Sequence, residues 1–106
     1  MASNVGYLGG ATGCVDASTT IIGVDKNARY HQISTRKNGG SAGTLAISVR
    51  PRGCSSFETL TSNGAAVTMN LNSDVTYGPF AGVFDEMKFV ASSFNGTNFD
   101  ITVSGW

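Results

Sequence analysis

The chain has 106 residues, 41% of them hydrophobic, and its 7 basic and 7 acidic side chains cancel to a net charge of zero. This length accommodates one small domain with its own core, and no apolar run reaches the roughly 18 residues needed to span a bilayer. Charged residues make up only 13% of the chain, which excludes a nucleic-acid-binding tail and a charge-rich disordered segment, since both need an excess of charge.

Residues 1–18 are rich in glycine and show no alternation of apolar and polar side chains. We therefore expect them to form an irregular N-terminal arm, followed by one domain over residues 19–106. The opening Met-Ala-Ser-Asn-Val-Gly has neither a basic region nor a continuous apolar stretch, so no secretory signal is expected.

Beyond the arm, strand-forming residues dominate, with 9 Val, 5 Ile and 11 Thr against only 4 Leu and 2 Glu. Apolar and polar residues alternate in several segments, as at Leu45, Ile47 and Val49, which predicts strands with one buried face. The predicted strands occupy residues 19–24, 30–37, 44–50, 57–61, 66–72, 75–77, 83–90 and 98–104. We expect an all-β fold, a single antiparallel β-sandwich or jelly-roll-like domain of seven to eight short strands with a Gly-rich N-terminal arm.

Turn signals separate these predicted strands. Asn-Gly pairs favour the positive φ angles of hairpin turns, and they predict hairpins at three places: Asn38-Gly39, Asn63-Gly64 and Asn95-Gly96. Gly78-Pro79 is expected to end the strand before it and to carry the chain to another sheet or corner.

The two cysteines, Cys14 and Cys54, have no CxxC spacing and no histidine cluster beside them. A zinc site is therefore not expected, and neither is any other metal or cofactor. The two thiols could form one disulfide if the arm folds back on the 51–56 turn. The alternative is a reduced, partly buried pair, which the lack of an export signal favours.

No set of residues predicts catalysis, and we do not expect an enzyme. The only histidine, His31, shares a strand face with Ile33 and is expected to be a packed or rim side chain. Asp85 and Glu86 are consecutive, and consecutive strand residues point to opposite faces, whereas paired catalytic carboxylates must converge on one bond.

Charge is distributed unevenly along the chain. Residues 26–52 carry no acid and six basic residues, namely Lys26, Arg29, Arg36, Lys37, Arg50 and Arg52. We expect the last two arginines and Arg36 to share an outward face that binds an acidic surface, such as the Asp85-Glu86 region of a neighbouring copy. The alternative is that the two charge sets interleave within the fold. Nucleic-acid binding is not expected, because few aromatic residues accompany the arginines.

The second half of the chain has a recurring kind of ending. It contains Val67-Thr-Met-Asn-Leu-Asn, Tyr77-Gly-Pro-Phe-Ala-Gly-Val-Phe, Phe89-Val-Ala-Ser and the closing Gly96-Thr-Asn-Phe-Asp-Ile-Thr-Val-Ser-Gly-Trp. This pattern resembles small β-sandwich virion proteins of tailed bacteriophages, which include capsid decoration (cement) proteins and small tail or fibre proteins. The resemblance covers residues 65–106 and consists of composition and turn placement.

The resemblance implies a non-enzymatic structural protein of a tailed-phage virion, assembled in the host cytoplasm, that decorates or cements the capsid by binding the major capsid protein. It also implies a homo-oligomer, with a trimer favoured, and no membrane contact. The alternative is a tail-fibre or carbohydrate-binding β-sandwich module, with its sugar site at the 77–84 loop or at Trp106. The expected interface residues are Tyr7, Leu8, Arg36, Arg50, Arg52 and Trp106. Some of the aromatic residues Tyr77, Phe80, Phe84 and Phe94 are also expected at subunit contacts.

Overall fold

The computed structural model of the chain describes residues 6–24 and 27–106, and its regular secondary structure there consists of strands. The strands in these residues are β1 (Gly6–Cys14), β2 (Thr19–Gly23), β3 (Tyr30–Asn38), β4 (Thr44–Pro51), β5 (Glu58–Thr59), β6 (Thr61–Ser62), β7 (Ala65–Ala66), β8 (Thr68–Asn70), β9 (Val75–Ala81), β10 (Phe84–Ser92) and β11 (Asn98–Gly105).

The longer strands form two antiparallel sheets. Sheet A has the strand order β1-β11-β3-β9, and sheet B has the order β2-β10-β4-β5, with β8 also paired to β4. Strands β6 and β7 make a separate two-stranded hairpin. The prediction of an all-β, antiparallel β-sandwich is confirmed.

The core lies between the two sheets and is built from the alternating apolar positions. Ile33 and Val103 of sheet A and Met87 and Phe89 of sheet B are fully buried. Their strand neighbours point outward, so each sheet also has an outer face. Burial of these side chains supplies the main driving force for folding.

Residues 1–18 were expected to form an irregular arm. Within that range, Gly6–Cys14 instead form strand β1. This strand pairs with β11 at the edge of sheet A. Glycine makes the position possible, since a Cβ at Gly9 would lie 2.6 Å from Cγ2 of Ile22 on strand β2. The absence of side chains thus allows β1 to pack closely against the edge of sheet B. Residues 1–5 lie outside the described residues.

Only one of the three Asn-Gly pairs forms a hairpin. Asn63-Gly64 joins β6 to β7, with φ angles of 54° and 80°, as a type I′ turn requires. The predictions for Asn38-Gly39 and Asn95-Gly96 are wrong, because the flanking strands lie in different sheets. The two segments cross between the sheets side by side, and the Thr97 amide donates to the Asn38 carbonyl at 3.0 Å.

Gly78-Pro79 does not end a strand either. Strand β9 continues through it to Ala81, and a register shift in the β3–β9 pairing falls at this point. Strand β9 is an edge strand of sheet A. Edges and bulges are the places where a sheet tolerates proline, because the missing N–H costs few ladder hydrogen bonds there.

Candidate interaction surfaces

Tyr7 and Leu8, two of the expected interface residues, have different environments in strand β1. Tyr7 is 71% exposed, whereas Leu8 packs against the hydrophobic core. The β1–β11 pairing is irregular between Tyr7 and Gly9, which is typical of a bulge that redirects side chains. Leu8 is therefore engaged by the protein itself, and Tyr7 is the residue presented to solvent.

The ring of Tyr7 lies over Gly10. A Cβ at Gly10 would approach Oη of Tyr7 to 2.8 Å and Cε1 to 3.3 Å. Gly10 is the strand partner of Thr102 on β11. Because Gly10 has no side chain, the tyrosine ring extends along the outer surface of sheet A toward Thr102.

A second aromatic group lies on the same outer face of sheet A. Tyr30, which is 43% exposed, stacks on Trp106 with ring centroids 5.5 Å apart and an interplanar angle of 24°. Ser104 is the register partner of both Tyr7 and Gln32, so Tyr7 lies in the row of the sheet two residues along from this pair. We call Tyr7, Tyr30 and Trp106 the aromatic patch.

The expected common arginine face does not exist. Arg36 lies on β3 in sheet A, whereas Arg50 lies on β4 in sheet B and Arg52 follows that strand. The expectation depended on a hairpin at Asn38-Gly39, and the chain instead crosses between the sheets there. Lys26, from the same basic stretch, lies outside the described residues.

Arg50 is engaged within its own chain. Its guanidinium lies 2.9 Å from Oε1 of Glu86 and 3.2 Å from Oδ2 of Asp85, and it donates to the Cys54 carbonyl at 3.1 Å. The β4–β10 pairing is irregular between Phe84 and Glu86, and this irregularity brings the two consecutive carboxylates to one guanidinium. For Arg50, the alternative of charges interleaved within the fold is therefore correct.

His31 is a core residue, as the strand pattern predicts. Its side chain is fully buried and packs against the ring of Phe84 at a centroid distance of 4.9 Å. Neither ring nitrogen has a hydrogen-bond partner within residues 6–24 and 27–106. Burial lowers the pKa of His31, and the backbone of Phe80 opposes that shift only in part. A neutral, enclosed imidazole of this kind has no access to a substrate.

The two cysteines are free thiols in different environments. Cys14 is buried on β1, and its Sγ lies 3.6 Å from Oγ1 of Thr20. Cys54 is exposed in the turn after β4. Of the two alternatives, the structure has the reduced pair.

Most of the aromatic residues that were candidates for subunit contacts belong to the core. Phe80, Phe84 and Phe94 are buried, and Tyr77 packs against the same core. Tyr30 was not among the expected interface residues. The signal was present, because a residue next to buried His31 in a strand must point to the opposite face.

The surface of the described residues includes two depressions that are open to solvent. A cleft of about 380 Å³ lies between residues 66–68 and residues 77–80 of strand β9. A groove of about 330 Å³ on the outer face of sheet A is lined by Ser34, Arg36, Asp74, Thr76 and Thr102. Three of its polar side chains already bond to the protein, since Oγ of Ser34 and Oγ1 of Thr76 are 2.9 Å apart and Asp74 accepts from the Lys37 amide.

The described part of the chain contains no group of three or more His, Cys, Asp or Glu residues placed to hold a metal ion. Nor does it contain a helix that is long and apolar enough to cross a membrane.

No family model and no curated protein matches the chain. Among solved structures, the fold is similar to a chain from a study of Bacillus endospore appendages, which form a novel family of disulfide-linked pili. The TM-score is 0.48 and the sequence identity is 17%, over 96% of this chain and 86% of that chain. That neighbour is a pilus-type structural protein, and a similarity of this size transfers no function to the present chain.

Proposed function

We propose that this protein is a non-enzymatic structural protein of a tailed-phage virion, which decorates or cements the capsid by binding the major capsid protein. The proposal combines the resemblance of residues 65–106 to small virion proteins with one observation, the exposed aromatic patch. Aromatic side chains are enriched at protein–protein contacts, because they bury a large area for a small loss of conformational freedom.

The surroundings of the patch support a protein partner. Gln32 and Ser104, which occupy the same row of the sheet as Tyr7, are uncharged, so covering them would not remove an ion from water. Tyr7 and Tyr30 are 71% and 43% exposed and so retain apolar area for an interface.

The mechanism is thermodynamic. A protein that binds only assembled coat subunits adds its binding free energy to the stability of the shell. We propose that it does so as a homo-oligomer, with a trimer favoured, because a closed symmetric assembly presents the same contact several times.

The test is co-sedimentation with capsids assembled from the major capsid protein of the genome that carries this chain. The wild-type protein is expected to sediment with the capsids, and the Tyr7→Ser/Tyr30→Ser double variant is expected to remain in the supernatant. Ile21→Ser is the matched control, since Ile21 is 52% exposed but lies on sheet B. If the wild type and the double variant sediment equally, the aromatic patch is not the binding surface. If the wild type does not sediment with the capsids, the capsid-binding proposal itself is overturned.

A further inference from the structure

The cleft beside strand β9 is separate from the aromatic patch. One wall is formed by the segment that follows the Asn63-Gly64 turn, including Val67 and Thr68, and the other by Tyr77, Pro79 and Phe80. Its volume of about 380 Å³ lies within the range of small-molecule sites. Both walls are anchored, because Val67 and Phe80 are also buried in the core.

The lining is uncharged. Its lining includes the apolar residues Val67, Pro79 and Phe80, of which Val67 and Phe80 are mostly covered by the core, and the hydroxyl-bearing residues Ser62, Thr68 and Tyr77. Ser62 and Thr68 are exposed, and within the described residues none of these three hydroxyls forms a hydrogen bond to the protein. In the groove on sheet A, by contrast, Ser34, Thr76 and Asp74 have partners within the protein.

Apolar surface combined with free, neutral hydroxyls matches a saccharide. A pyranose ring has a C–H face that packs on aromatic and proline surfaces, and its hydroxyls donate and accept hydrogen bonds as serine and threonine hydroxyls do. The lining has no cation to pair with an acidic sugar, so the complementary ligand is neutral.

A peptide fits this cleft less well. A peptide that adds to a sheet edge binds through the free N–H and C=O groups of the edge strand. Strand β9 is such an edge, but Pro79 has no N–H, and the β3–β9 register is already irregular beside it. Proline and irregular pairing are devices that protect an edge against strand addition.

We propose that the cleft between residues 66–68 and 77–80 binds a neutral saccharide. The ring of Tyr77 and Pro79 pack against the C–H face of the sugar, and Ser62, Thr68 and the Tyr77 hydroxyl bond to its hydroxyls. This site is independent of the aromatic patch and does not require the capsid role.

The test is a titration of the full chain, labelled with ¹⁵N, with neutral hexoses, deoxyhexoses and N-acetylhexosamines, followed by amide chemical shifts. Saturable shifts of the amides of residues 62, 66–68, 77, 78 and 80 are expected with at least one sugar. Thr68→Val and Tyr77→Phe each remove one hydroxyl with little change of shape, and each is expected to weaken binding about threefold to tenfold. Thr19→Val is the matched control on the far edge of sheet B and is expected to bind like the wild type.

Several outcomes would overturn the site. These are shifts that map elsewhere, no saturable shift with any sugar of the panel, tighter binding of glucuronate than of glucose, or unchanged affinity in both hydroxyl variants. Unchanged amide spectra away from the substitutions verify that the variants remain folded. The Tyr7→Ser/Tyr30→Ser variant is expected to bind sugar normally, so failure of the capsid proposal and failure of this one give different results.

Discussion

The guanidinium of Arg50 lies 2.9 Å from the carboxylate of Glu86, across the pairing between strands β4 and β10. The same group contacts Asp85, so one arginine from the basic stretch pairs with two acids from the acidic remainder of the chain. Part of the charge asymmetry seen along the sequence therefore disappears on folding.

Replacement of Arg50 by alanine is expected to destabilise the protein. The Arg50, Asp85 and Glu86 side chains are 25%, 24% and 35% exposed, so solvent screens their attraction and the expected loss is about 1 kcal/mol. Urea denaturation at low and high salt measures it, and the difference from wild type should shrink as salt rises. Arg52→Ala is the matched control, because Arg52 is exposed and outside this cluster. A loss as large in Arg52→Ala would contradict the assignment.

Stability is expected to fall as the solution is acidified through the neutral range, because of His31. The unfolded chain binds a proton at the ordinary histidine pKa near 6.5, whereas burial lowers the pKa of His31 in the folded protein. At pH values between these two pKa values, the unfolded state binds more protons than the folded state, so the free energy of unfolding decreases as pH falls.

The measurement is urea denaturation from about pH 7.5 to about pH 5.5, above the range where most carboxylates titrate. His31→Leu keeps an apolar side chain of similar size and cannot titrate, so its pH profile should be flatter than that of the wild type. If the two profiles have the same slope, another group causes the pH dependence.

Local sequence patterns predicted where the strands lie better than which strands pair with each other. The alternation at Leu45, Ile47 and Val49 corresponds to buried positions of β4, because period-2 burial is a property of one strand. By contrast, Asn38-Gly39 and Asn63-Gly64 look alike as turns, yet only the second joins paired strands. The difference depends on which sheet each strand enters, and local turn chemistry does not encode that choice.

The same distinction explains which parts of the candidate surfaces could be found from sequence. Tyr7 and Trp106 were identified as interface candidates, and alternation around His31 would also have placed Tyr30 on the outer face. The separation of Arg36 from Arg50 could not be found, because it follows from the crossing between sheets. The convergence of Asp85 and Glu86 on Arg50 depends on an irregular pairing that breaks the period-2 rule.

The turn at Gly64 should be sensitive to backbone conformation alone. Gly64 has a φ of +80°, and a Cβ there would meet no atom within 4 Å. Gly64→Ala is therefore expected to cost about 1 kcal/mol through the left-handed conformation. Gly64→Asn should cost less, since asparagine adopts this conformation more readily. Thermal unfolding of both variants measures the difference, and equal losses would argue against a purely conformational cause.

Asn95 is expected to hold the two crossings between the sheets together. Its Oδ1 accepts hydrogen bonds from the amides of Ser41 at 2.8 Å and Ala42 at 3.0 Å, and these residues belong to the other crossing. Asn95→Ala removes the acceptor from both amides. Because the site is exposed and water can replace the lost partner, the expected loss of stability is about 1 kcal/mol.

Amide hydrogen exchange provides a more specific readout than stability. In the wild type, the Ser41 and Ala42 amides should exchange slowly for an exposed loop, because both are hydrogen-bonded. Exchange at these two positions should accelerate in Asn95→Ala, whereas Asn95→Asp should retain protection because a carboxylate oxygen can accept the same two bonds. The neighbouring crossing supplies an internal reference, since the Thr97 amide bonds to the Asn38 carbonyl instead. Faster exchange confined to Ser41 and Ala42 means that Asn95 acts through these bonds, and equally fast exchange at Thr97 would mean that the whole end of the sandwich has loosened.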